Sequence, residues 1–139
     1  LINPEIAKAR DIDTAIINLT FEDGSMAVID NCRKAVYGYD QRVEVFGSKG
    51  MVQSKNKFDN YTIFYSEKGV ISSLPQHFFL ERYADAYKKE IDHFIDCILH
   101  KKNPEVSGYD GLMSLMLGLC AKESLNINKP VFLSEIDKT

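Results

Sequence analysis

Two arginines, two tyrosines and an aspartate lie within ten residues of one another: Arg33, Tyr37, Tyr39, Asp40 and Arg42. A tyrosine hydroxyl both donates and accepts a hydrogen bond, an arginine only donates, and an ionised aspartate only accepts. Such a set can satisfy a molecule dense in neutral hydroxyls, so it suits a polyol or a sugar. Tyr37, Tyr39 and Asp40, with Arg33 in support, are the candidate ligand contacts. The same residues have a plainer reading. Tyrosines at the mouth of a strand can cap a core, and Arg42 with Glu44 can form a same-face pair of small energetic value. On the residues alone both readings stay open.

Other chemistry is sparse. There is no Gly-x-Gly-x-x-Gly, no Gly-Lys-Ser/Thr phosphate loop, no Cys-x-x-Cys and no His-Glu-x-x-His. His77, His93 and His100 are scattered over a turn and a helix, so they read as solvated or helix-end histidines, and no metal site is expected. Cys32, Cys97 and Cys120 are widely spaced in apolar or strand contexts. They are expected to be buried free thiols in a reducing compartment, hence a cytoplasmic location. Ser107 and Asp110 have the spacing of a helix capping box and nothing of a nucleophile elbow around them.

The elements that must position the tyrosine stretch follow from periodicity. Residues 12–32 read as a β-hairpin, with Asp23-Gly24 supplying the positive φ of a primed turn. Gly38 hinges the loop that enters a third strand at Arg42 to Phe46, and Gly47-Ser48-Lys49-Gly50 turns it into a fourth at Met51 to Ser54. Strands at 61–65 and 70–73 continue an antiparallel meander, and Pro130 to Leu133 is a further extended segment. From Phe79 the period changes. Leu80, Tyr83, Ala84, Tyr87, Ile91, Phe94, Ile95 and Ile98 predict an amphipathic helix over 79–101. A second helix, apolar almost all round over 112–120, is expected to be the buried one. Residues 1–10 read as a linker. The predicted fold is α+β: one mainly antiparallel open sheet of six or seven strands with two helices on one face.

The 139 residues are expected to form a single domain. Apolar residues make up 45% and charged ones 27%, with a net charge of −3, so no basic face points to nucleic acid. No apolar run reaches the ~20 residues of a membrane span, and no signal-peptide pattern opens the chain.

The run from Asn31 through Tyr37-Gly38-Tyr39-Asp40 to Gly50 resembles the C-terminal domain of the Gfo/Idh/MocA oxidoreductases, and most of all their inositol 2-dehydrogenase branch. Asp13 to Gly24 resembles the first hairpin of that domain, and Glu81 to Ile95 its long helix. Ser107 to Leu112, Ala121 to Ser124 and Lys129-Pro130-Val131 resemble its closing helix and strand. The resemblance covers nearly the whole chain and implies oxidation of a polyol hydroxyl to a ketone, with a substrate such as myo-inositol. It places an NAD- or NADP-binding Rossmann domain upstream, together with the lysine of a Glu-Lys-Pro motif and an Asp-x-x-x-His pair. This chain is therefore expected to hold no catalytic and no cofactor-binding residue, and to be inactive alone. By the resemblance Tyr39 hydrogen-bonds the inositol, with Tyr37, Asp40 and Arg33 supporting it, and the open sheet face forms a homo-oligomer. The alternative is a non-catalytic, self-associating module of the same fold.

Overall fold

A computed structural model describes residues 3–136. Leu1 and Ile2, the start of the expected linker, lie outside the described residues. The chain is α+β with antiparallel strands, and it divides into two compact units, residues 1–90 and 91–139.

The first unit begins with a short helix, α1 (Pro4–Lys8), where a linker was expected. The signal for it is local. The Asn3 side chain accepts from the Glu5 amide at 2.9 Å, and Pro4 stands at the first helical position, where its missing N–H costs nothing.

Strands β1 (Thr14–Thr20) and β2 (Met26–Cys32) form the predicted first hairpin. Its turn differs from the primed type. Gly24 N–H donates to Phe21 O at 3.0 Å and Phe21 N–H to Ser25 O at 2.9 Å, and Gly24, but not Asp23, has positive φ (+82°). This is a three-residue loop closed by a glycine bulge. Asp23 serves through its carboxylate, which accepts from the Ser25 amide and hydroxyl and is acidified by them.

Strands β3 (Val43–Gly47) and β4 (Gly50–Ser54) form a second hairpin, and β5 (Ile63–Ser66) with β6 (Gly69–Ser72) a third. The expected single sheet is thus three separate two-stranded sheets. Each turn joins neighbours in sequence, and local turn chemistry fixes those pairs. Nothing equally local specifies a pairing between hairpins. The expected Arg42–Glu44 pair does not form. Glu44 instead accepts from Gln53 across the β3–β4 pair at 2.5 Å, and Arg42 pairs with Asp40.

Helix α2 (Phe79–His100) matches the expected span and runs from the first unit into the second. In the second unit, α3 (Gly108–Ile127) opens on the predicted box. The Ser107 amide and hydroxyl both donate to Asp110 Oδ2 at 2.7 Å, which lowers the Asp110 pKa. Asn128, left-handed at φ +53°, closes the helix. Within this unit Met116 and Cys120 of α3 and Cys97 of α2 are buried, while Leu115, Leu119 and Leu125 remain exposed, so α3 is not buried all round. Residues 130–133 form no strand; a one-turn helix, α4 (Leu133–Ile136), takes up their end. Cys97 and Cys120 are buried free thiols as expected, but Cys32, on the last residue of β2, is exposed.

Candidate functional site

The loop from Val36 to Gln41 is held from two directions. Asp40 is its polar centre, with a side chain only 12% exposed. It accepts from Arg42 Nε at 2.7 Å and Nη2 at 2.8 Å, from Asn56 Nδ2 at 2.7 Å and from the Tyr37 hydroxyl at 2.5 Å. A carboxylate has about four lone-pair sites, so Asp40 is saturated. Arg42 first, then Tyr37, pull its pKa down to about 2. In return, donating to that carboxylate raises the Tyr37 pKa. The Asn56 amide closes the ring, its Oδ1 accepting from the Gln41 amide at 2.8 Å. One side chain on the β4–β5 connection therefore fixes two successive residues of the tyrosine loop.

The second hold is made of backbone. Tyr39 N–H donates to Gln76 O at 2.8 Å, and Gln76 N–H donates to Lys57 O at 3.0 Å. Pro75 and Phe58 form an antiparallel bridge. Residues 75–76 thus lie between the tyrosine loop and the β4–β5 connection. Gly38 makes this approach possible. Its φ is +134°, and a Cβ there would stand 2.6 Å from Pro75 O.

Tyr37 and Tyr39 consequently line two different concavities. Tyr37 lines a depression of about 650 Å³ with Arg42, Glu44, Asn56 and Phe58. Tyr39 lines a wider, open groove with Arg33, His77 and Tyr83, and Asp40 borders both. Of the four candidates, Tyr37 and Asp40 touch, Tyr39 stands on the other side of the loop, and Arg33 is engaged with Asp11 at 2.8 Å. The Tyr39 ring meets Tyr83 of α2 edge-on, with centroids 5.7 Å apart and planes at 81°.

The sequence reading passed over Asn56 and Tyr83. Asn56 is 16 residues from Asp40 and carries no local signal. Tyr83 was absorbed into the apolar stripe of α2; its hydroxyl, on a stripe otherwise dominated by aliphatic and phenylalanine side chains, was the available clue.

His93 and His100 are accounted for locally. His93 Nε2 accepts from the Glu105 amide at 3.2 Å. Asp96 and His100 do have an Asp-x-x-x-His spacing, a pattern not expected in this chain. They pair with each other at 2.7 Å in the last turn of α2, and Asp96 also meets Lys102 at 3.4 Å, so the spacing ends a helix. Among the described residues no cluster of His, Cys, Asp or Glu could hold a metal, and no helix is long and apolar enough to cross a membrane.

Residues 3–133 match the family model described as "Oxidoreductase family, C-terminal alpha/beta domain" of the Gfo/Idh/MocA group. The chain belongs to this family. It is 47% identical over 136 residues to the myo-inositol 2-dehydrogenase of Thermotoga maritima, a match that spans 98% of the chain and 41% of that protein. The fold superposes on the crystal structure of a probable dehydrogenase from Thermotoga maritima with a TM-score of 0.93 at 47% identity, covering 98% of this chain and 41% of that one. It also superposes on a scyllo-inositol dehydrogenase from Lactobacillus casei, solved with bound NAD(H) and scyllo-inositol, with a TM-score of 0.85 at 27% identity over 96% of this chain and 39% of that one. This Gfo/Idh/MocA chain thus spans about two fifths of the length of the relatives it matches.

Proposed function

We propose that this chain is the C-terminal substrate-facing and oligomer-forming domain of an NAD-type dehydrogenase that oxidises one hydroxyl of an inositol-like polyol to a ketone in the cytoplasm. The observation that carries this reading is the placement of Tyr39, on a loop pinned by its own amide, at the wall of an open groove. Tyr39 contacts a substrate hydroxyl. Tyr37 and Asp40 hold the loop through a hydrogen bond already made, and Arg33, paired to Asp11, borders the groove.

The residues here do not fit a dinucleotide. A pyrophosphate seats on the free amides of a glycine-rich turn at a helix N-terminus, and the chain has no Gly-x-Gly-x-x-Gly. In this reading NAD or NADP is held by residues outside the chain, together with the groups that handle hydride and proton.

The test is turnover by the intact protein that carries this chain, followed as NADH absorbance with myo-inositol. Tyr39→Phe is expected to raise KM about twofold to tenfold, the value of one hydrogen bond, with a smaller effect on kcat. The chain alone is expected to reduce no NAD. Unchanged KM and kcat in Tyr39→Phe would remove Tyr39 from the site. Turnover by the chain alone would overturn the division of labour.

The exposed apolar residues of the hairpins also favour a second reading, a non-catalytic self-associating module. The two part on the intact protein: a module turns over no polyol with either nicotinamide cofactor.

A further inference from the structure

The two holds on the tyrosine loop begin on neighbouring residues. Asn56 reaches Asp40 and Gln41 through its side chain. Lys57 reaches Tyr39 through backbone: its carbonyl accepts from Gln76 N–H at 3.0 Å, and Gln76 O accepts from Tyr39 N–H at 2.8 Å. Phe58 bridges Pro75, and the Lys57 ammonium meets Asp85 in the second turn of α2 at 2.5 Å. Three successive residues of the β4–β5 connection thus anchor residues 39–41, residues 75–76 and α2. All of them lie in the first unit.

Of these anchors the Asn56 amide is the most demanding chemically. The Asp40 carboxylate can only accept and the Gln41 N–H can only donate, so one end of the side chain must be NH2 and the other C=O. No other residue type of that size meets both. Asn56 is half-buried and reaches Asp40 from 16 residues away, so the loop has no local substitute for it. The Lys57–Asp85 pair, by contrast, lies at the surface and is of small energetic value.

Tyr39 stands between the two holds. Its own amide is on one, and the two residues after it are on the other. We propose that Asn56 is a positioning residue of the substrate wall: by clamping Asp40 and Gln41 it fixes the backbone that follows Tyr39, so that the Tyr39 side chain meets a polyol hydroxyl already oriented. The proposal rests on the reading of Tyr39 as a substrate contact. Asn56 does not line the groove; it faces the depression on the other side of the loop, with Tyr37, and acts through Tyr39. Its contribution is pre-organisation. Without it the loop is ordered at each binding event, which weakens affinity more than it slows chemistry.

The experiment uses the intact protein, with steady-state kinetics on myo-inositol and amide hydrogen exchange without substrate. Asn56→Ala is expected to raise KM about threefold to tenfold, with kcat within about twofold. It should speed exchange at Gln41, whose partner is lost, and also at Tyr39, whose partner Gln76 is untouched. Asn56→Asp keeps the size and the acceptor but loses the donor and sets a carboxylate against Asp40. Its KM is expected to rise at least as much, and either variant serves if the other does not fold. In the Tyr39→Phe background Asn56→Ala is expected to change KM by less than about twofold, since it acts through the Tyr39 hydroxyl. A wild-type KM in either folded variant overturns the proposal. So does strict additivity of the Asn56→Ala and Tyr39→Phe effects, which would make Asn56 act apart from Tyr39. The wider reading fails in a distinguishable way. If Tyr39→Phe raises KM and the Asn56 variants do not, the substrate reading stands and the role of Asn56 falls. If Tyr39→Phe leaves KM unchanged, or no inositol is oxidised, the substrate reading falls and takes the role of Asn56 with it, even where faster exchange at Tyr39 and Gln41 shows the clamp itself.

Discussion

Asp40 holds the tyrosine loop by charge. Four donors converge on a carboxylate that is largely shielded from water, and its pKa falls to about 2. The folded value lies below the ordinary 3.8, so the stabilisation is complete above about pH 4 and is lost as the pH falls through 2. Asp40→Asn keeps the shape but loses the charge-assisted bonds from Arg42. It is expected to cost about 1–2 kcal/mol at neutral pH. The difference in urea-unfolding stability between wild type and variant should shrink as the pH is lowered from 4 toward 2, a comparison that cancels the other acidified carboxylates, Asp23, Asp85 and Asp110. A difference constant over that range would mean that Asp40 does not act through its charge. At this scale the sequence is legible in residue types more than in partners. Tyr37, Asp40 and Arg42 lie within six residues and were singled out together, but the reading set Arg42 against Glu44, whereas Asp40 takes both Arg42 and Tyr37. Asn56 and Tyr83 reach the same loop from the β4–β5 connection and from α2, and a linear reading has no means of bringing them there.

Hairpins and helices are written in local chemistry, and the local chemistry is readable. Asp23-Gly24, Gly47 to Gly50, Ser107 with Asp110 and the apolar stripe of α2 each mark an element that forms. The misreadings come from elements set by few residues: the Asn3-Pro4 cap that starts α1, and Leu133 to Ile136, which coil where a strand lacked a partner. Gly38 shows how an element can depend on one backbone position. Gly38→Ala must place a Cβ 2.6 Å from Pro75 O at φ +134°, so it is expected to cost about 2–3 kcal/mol. It should also speed amide exchange at Tyr39, whose bond to Gln76 depends on that approach. Gly24→Ala is the control. It too has positive φ (+82°), but nothing lies within 4 Å, so only the backbone cost of about 1 kcal/mol is expected. Equal losses in the two variants would mean that the contact with Pro75 does not matter.

The whole molecule has too little interior for its composition. Among the described residues the buried hydrophobic side chains are Cys97, Met116 and Cys120, and no large side chain is fully buried. Val43, Val45, Phe46, Ile63, Phe64 and Tyr65 are all exposed, so β3 and β5 show apolar side chains on both faces. An isolated two-stranded hairpin is marginal in water, and a sheet wet on both faces gains nothing from its apolar residues. The proposed function has these surfaces covered, by other parts of a longer protein, by a second copy, or by both. The two have different signatures. If a second copy covers β3 and β5, Val45→Lys with Ile63→Lys should weaken self-association of the intact protein at least tenfold by sedimentation, while the monomer unfolds at an unchanged urea midpoint. If another part of the same protein covers them, the double variant should leave the oligomer size alone and lower the urea midpoint of each subunit. A protein that sediments as a monomer at every concentration would remove the homo-oligomer from the proposed function. It would leave intact the tyrosine loop, whose partners Asp40, Asn56, Gln76 and Tyr83 all lie within the first unit.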